Sequence, residues 1–229
     1  MKKTLLVLFL FCPSLAAFAQ LPSIGIKGGA NFATMSSSGT PANMVAGSDI
    51  YARSKALTSF NVGVFVDVKL GHFSLQPAVN FTGKGGKFDG PTGQLPNGSV
   101  SQVSTKYNLY YVQVPVNIVY HVPFVVGEFY IGAGPFVGMG VYGRKNLSAD
   151  NNNNGVHTAI SSSDKITFGD NGDIRSDEYG AGAIAGIKLK GGLLFNLNYD
   201  LGLSNVAPDQ AGNKFKNHVF GASIGFVFL

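Results

Sequence analysis

Several things are scarce in this chain, and each scarcity excludes something. There is one cysteine, Cys12, so no internal disulfide is possible. Phe11, just before it, is too large for the small residue a lipoprotein cleavage site wants, and no lipid anchor is expected. Asp, Glu, Lys and Arg together make up 13% of the residues, whereas a soluble surface usually carries about 25% or more. Apart from the leader described next, no apolar run approaches the roughly eighteen residues of a membrane helix. The formal charge of +5 falls to +3 without Lys2 and Lys3, too weak and too scattered for nucleic-acid binding.

What is present begins with a leader. Lys2 and Lys3, the apolar run Leu5 to Phe11 and Ala17-Phe18-Ala19 before Gln20 are the three parts of a secretory signal. Leu5 to Leu15 is only about eleven residues, short of the roughly twenty that span a bilayer. Residues 1–19 are therefore expected to be cleaved, leaving 20–229 as one all-β domain.

In that domain a period of two recurs in eight segments: near 24–34, 60–70, 73–83, 107–120, 128–141, 179–189, 193–203 and 215–228. Val62, Val64, Val66, Val68 and Leu70 alternate with Asn61, Gly63, Phe65, Asp67 and Lys69. Phe220, Ile224, Phe226 and Phe228 alternate with Asn217, Gly221, Ser223 and Gly225. The gaps alternate too. Long connections at 35–59, 84–106, 142–178 and 204–214 interleave with short ones at Gly71-His72, His121 to Gly127 and Lys190 to Gly192. Short turns at one end and long loops at the other predict an eight-stranded antiparallel up-and-down transmembrane β-barrel in the cell outer membrane, with both termini periplasmic. The last strand would close on the first, removing both edges.

Periodicity does not say which face is inside, since a lipocalin-like barrel would turn its apolar faces inward. The polar faces are rich in Asn, Gln, Ser and Gly but poor in Lys and Glu. The apolar strings, such as Tyr110, Val112, Val114, Val116, Ile118 and Tyr120, exceed what a narrow interior holds. Both facts point the apolar faces toward lipid. Tyr110 and Tyr120 lie ten residues apart, about 25 Å along the membrane normal at the usual rise and tilt. With Phe73, Phe81 and Phe228 they are expected to form aromatic girdles at the membrane borders. The lumen would then hold Lys27, Asp67, Lys69, Gln76, Gln113, Glu128, Lys188 and Asp200 in a plugging polar network, the three lysines neutralising the three acids.

The segments Gly25-Ile26-Lys27-Gly28-Gly29-Ala30-Asn31, Phe73-Ser74-Leu75-Gln76-Pro77-Ala78-Val79-Asn80-Phe81, Tyr110-Tyr111-Val112-Gln113-Val114-Pro115-Val116 and Tyr130-Ile131-Gly132-Ala133-Gly134-Pro135-Phe136 resemble the PorT-like outer-membrane β-barrel family, porin-like proteins of the Bacteroidetes type. Proline inside strands makes Leu-Gln-Pro and Val-Pro moderately specific marks. The resemblance implies an eight-stranded outer-membrane barrel and no shared activity or catalytic residues.

The histidines are the residues best suited to catalysis. His157 with Ser161, Asp164 or Asp170 has the residue types of a hydrolase, but no nucleophile motif frames them, and no enzyme activity is expected. Asp150 to Gly155 repeats the first half of a calcium loop. Ser161 stands where the bidentate glutamate belongs, so only weak calcium binding within 150–161 is conceivable. No cofactor or metal is expected. Expected partners are outer-membrane lipid, the barrel assembly machinery through the C-terminal strand, and an extracellular ligand met by the long loops, 142–178 above all, on a monomeric barrel. A small passive channel, an outer-membrane enzyme or a secretion accessory are the other readings.

Overall fold

The computed structural model describes residues 22–38, 54–89, 93–94, 100–153, 156–169, 172–207 and 214–228. The leader, Cys12 and Leu229 lie outside them. The strands are β1 (Ser23–Ser38), β2 (Leu57–Leu70), β3 (Phe73–Asp89), β4 (Gly93–Gln94), β5 (Val100–Phe124), β6 (Gly127–Asn153), β7 (Val156–Lys165), β8 (Asp177–Leu189), β9 (Leu193–Gly202) and β10 (Lys214–Phe228). All pairings between them are antiparallel, and the sheet closes on itself in the order β5, β3, β2, β1, β10, β9, β8, β6 and back to β5. β4 and β7 pair outside this ring, on β5 and β6. Closure leaves no ring strand with an unpaired edge in the apolar zone, where unpaired backbone would have no water to bond.

The seam joins β1 to β10 from Ile24 opposite Phe228 to Ser38 opposite Lys214. Three hairpins lie at the end where the ring begins and ends. Gly71, at φ +67°, makes the two-residue turn into β3, and Gly192, at φ +87°, ends the turn into β9; both use the left-handed freedom of glycine. The third turn is only Val125-Val126, because β5 runs on to Phe124. His121 was expected at that turn; it is a strand residue instead, and its ring is buried in the lumen.

Burial alternates with the pleat, and the long apolar faces are the exposed ones, as a membrane barrel requires. Along β5, Val112, Val114, Val116, Ile118 and Tyr120 are exposed, while Tyr111, Gln113, Asn117, Val119 and His121 are buried. Phe73, Tyr120 and Phe228 lie on the exterior at the turn end, where the Phe73 and Tyr120 rings sit 5.1 Å apart. Phe81 and Tyr110 stack at 5.6 Å at the opposite border, flanked by Phe60 and Tyr142.

At that opposite end the strands do not stop where the apolar alternation stops. β5 and β6 remain paired out to Val100 and Asn152, and β7 extends the sheet beside them. The segments read as open loops at 84–106 and 142–178 are thus largely a standing β-crown. Backbone pairing needs no apolar side chains, so Ser, Thr, Asn and Lys prolong the ladder into water.

Candidate functional site

Among the described residues the lumen is packed in successive layers. At the turn end, Glu128 on β6 accepts hydrogen bonds from Lys69 Nζ at 3.0 and 2.7 Å and pairs with Lys188 Nζ at 2.6 Å. Its Oε1 is 3.1 Å from His121 Nδ1, whose Nε2 lies 2.8 Å from Ser74 Oγ and 3.9 Å from Asp67 Oδ1. Three cationic or ionisable partners thus meet on one carboxylate, which is 14% exposed. Ser74, His121 and Glu128 are connected in the order of an acyl-transfer triad, but Ser74 is 2% exposed inside the packed lumen, where no substrate reaches it.

Next comes an apolar plug of Phe65, Ala78, Val119, Tyr130, Ile184, Leu194 and Val227. Small residues on the inner face make room for its largest members. The Phe65 ring occupies the space a Cβ at Gly25 would need, and the Tyr130 hydroxyl end does so at Gly186.

An amide layer shares the middle of the barrel. Asn31 Nδ2 donates to Thr82 Oγ1 at 2.8 Å, Asn61 Nδ2 to Asn31 Oδ1 at 2.6 Å, and Ser223 Oγ to Asn61 Oδ1 at 2.9 Å. Gln113 Nε2 donates to Asp200 Oδ2 at 3.1 Å. Lys27 lines the same small cavity as Asp200, with its Nζ 5.8 Å from the Phe65 ring centre. Gln76 is buried on this inner face as well. The cavity measures about 20 Å³, room for about one water. Asn80 Oδ1, Gln113 Oε1 and Asn117 Oδ1, three atoms without a protein partner, belong to residues that line it.

The three lysines and three acids expected to neutralise one another are distributed unevenly. Lys69 and Lys188 both go to Glu128, Asp67 faces His121, and Asp200 shares its small cavity with Lys27 and is met by Gln113. Register decides this: Glu128 lies directly opposite Lys188 in the β6–β8 ladder, and charge alone does not.

The crown end holds a pair that the sequence did not reveal. Lys84 Nζ is 2.8 Å from Glu178 Oε2, with the two side chains 1% and 0% exposed. Asn217 Nδ2 donates to Glu178 Oε1 at 3.3 Å, and the lysine cation lies 5.3 Å and 4.6 Å from the Tyr111 and Phe136 ring centres. A second apolar cluster of Met35, Leu109, Tyr111, Ile166, Ile174 and Val206 sits over it. Ile166 and Ile174 come from the stretch after β7, which folds into the barrel mouth. Ile166 N donates to Gly143 O at 3.0 Å, and Phe168 fills the space beside Gly140. Thr167 donates to Asp173 Oδ2 from N at 2.9 Å and from Oγ1 at 2.8 Å, and these bonds, backbone first, hold the Asp173 carboxyl below the ordinary range. Asp170 and Asn171, within this stretch, lie outside the described residues. Segment 142–178 is thus a hairpin and a lid, in place of the free loop expected.

A family model for the outer membrane protein beta-barrel domain matches residues 18–207. The chain belongs to this outer-membrane β-barrel family. It resides in the outer membrane, and its apolar exterior faces lipid. Among solved structures, Ail, the attachment invasion locus protein of Yersinia pestis, is similar at 12% identity and a TM-score of 0.42, covering 91% of this chain and 100% of that one. Neisserial surface protein A has the same values. The toluene transporter TodX of P. putida is similar at 7% identity and a TM-score of 0.24, covering 90% of this chain and 89% of that one. No curated protein matches.

Asp150 to Asn153 are paired in β6 opposite β7, and Asn154, Gly155 and the His157 side chain lie outside the described residues. Ser161 and Asp164 are strand residues of β7. Among the described residues no group of three or more His, Cys, Asp or Glu is arranged to hold a metal.

Proposed function

We propose that this protein is an eight-stranded, PorT-like outer-membrane barrel that presents a rigid crown outside the cell and conducts nothing through its lumen. The observation that carries this reading is the filled interior: a shared-carboxylate cluster, an apolar plug, an amide layer, the Lys84–Glu178 pair and a folded lid succeed one another along the barrel. An interior of this width is one that side chains fill. The protein then acts as a structural or binding barrel, with an extracellular ligand met by the crown, after export under the 1–19 leader and insertion by the assembly machinery. It works as a monomer, without cofactor and without enzymatic turnover. The in-strand Leu-Gln-Pro and Val-Pro support the PorT-like placement.

Planar-bilayer recording tests the reading. The purified protein is expected to give no stable conductance. Sustained channel currents would replace it with the passive-channel reading. Protease cuts on whole cells are expected in the crown, and cuts at Val125-Val126 would reverse the orientation.

A further inference from the structure

We propose that the outward face just beyond the crown-side aromatic border binds phosphorylated lipid headgroups of the surrounding leaflet. Directly opposed residues of an antiparallel sheet point to the same side. Lys87, Lys106, Asn146 and Ser163 are opposed in succession across β3, β5, β6 and β7. They share the parity of Tyr110, which faces out. Two residues nearer the membrane, Arg144 and Lys165 are opposed on the same side. Across the ring, Lys216 and Lys214 continue the exterior face of β10 beyond Phe220, opposite Ser36 and Ser38.

Two features make this collar more than a solvated fringe. Lys87 lies directly opposite Lys106 and is bridged on its other flank to Lys55. Such like-charge opposition is unfavourable unless an anion offsets it. Acids are scarce there. Among the described side chains the acids on this face are Asp89, 2.7 Å from Lys55 and 3.4 Å from Lys87, and Asp177, 3.9 Å from Arg175. Lys106, Lys165, Lys214 and Lys216 make no ion pair among the described residues. By contrast, on the inner side of the same sheet Lys145 is opposed by Asp164.

Position names the occupant. The collar lies two to six residues past Tyr142, Tyr110, Phe81 and Phe220, about 5–15 Å along the normal at the usual rise and tilt. That is the interfacial zone beyond the hydrocarbon. A groove of about 480 Å³, bounded by Lys87, Lys106, Ser104, Asn146 and Ser148, supplies hydroxyl and amide donors beside the cations.

The inference rests on the membrane-spanning placement but not on a closed lumen, so channel currents would leave it intact. The test is native mass spectrometry of the full chain from micelles doped with lipid A, phosphatidylglycerol or phosphatidylcholine. The wild-type protein is expected to retain lipid A and phosphatidylglycerol over phosphatidylcholine. K106Q/K165Q/K214Q/K216Q should lose that retention by tenfold or more, since each near-surface lysine contributes roughly fivefold. K106Q/K216Q should lose part of it, and K145Q, on the other side of the sheet, should lose none. A heat-mobility gel confirms that each variant is folded, and the double variant decides the matter if the quadruple one is not. Equal retention in the folded collar variants, or no headgroup preference, overturns the proposal. Complete displacement of the lipid by excess inorganic phosphate also overturns it, by marking a free-anion site.

Discussion

The two ends of the lumen solve the same problem, a charge inside a barrel, in opposite ways. At the turn end Glu128 is shared among Lys69, Lys188 and His121, and its surroundings are partly wet. At the crown end, among the described residues, Lys84 and Glu178 have only each other as charged partners within 4 Å, sealed under the lid. Redundancy makes the first cluster tolerant. Isolation makes the second a point where a single substitution leaves an unpaired buried ion.

The largest effect is expected there. Glu178→Gln or Lys84→Met should destabilise the barrel by about 3–5 kcal/mol in urea titrations from lipid vesicles, and Lys84→Met with Glu178→Leu should recover most of it. Equal losses in single and double variants would show that the ion pair is not what holds this end together. Next, Ile174→Ala in the lid should cost about 2–4 kcal/mol, as a buried Ile truncation does, and should open 166–176 to protease. At the turn end, Lys69→Gln or Lys188→Gln alone should cost about 0–1 kcal/mol, since the other lysine remains. The two together should cost more than their sum, because Glu128 is then left to His121. Strict additivity would mean that the cluster is not shared.

The smallest effect concerns acid. Hydrogen bonds from Lys55 and Ser104, with the charges of Lys55 and Lys87, pull the Asp89 carboxyl from 3.8 down to about 2. A depressed folded-state pKa contributes stability that is present above the unfolded value and is lost as pH falls through the folded one. The crown contacts of Asp89 should therefore loosen between pH 4 and 2, read by NMR titration of that carboxyl, and Asp89→Asn should remove the transition.

The contrast between the two ends also explains what the sequence disclosed. Alternation gave the faces of the spanning strands, because lipid on one side and a packed lumen on the other impose a strict period of two. It failed beyond Tyr110, where both faces are polar and the strand continues on backbone bonds alone. Ile166 and Ile174 stand in a polar stretch with no period to assign them a face, and only the fold shows that they close the mouth. Lys69, Glu128 and Lys188 were legible because each lies within two residues of a hairpin, where the register is nearly fixed. Lys84 and Glu178, separated by 94 positions, meet only after several ladders have been set in register.

The β1–β10 seam has a kinetic consequence. It joins the first and last of the described strands, so among them the ring has the highest contact order at the pairing that completes it. Until β10 arrives, β1 presents an unpaired edge, and any partner that occupies this edge in the meantime delays the final step. Variants that weaken the seam, such as Gly29→Val, which would press a side chain against the backbone of Ala222, should therefore accumulate as an open sheet that is already assembled everywhere else.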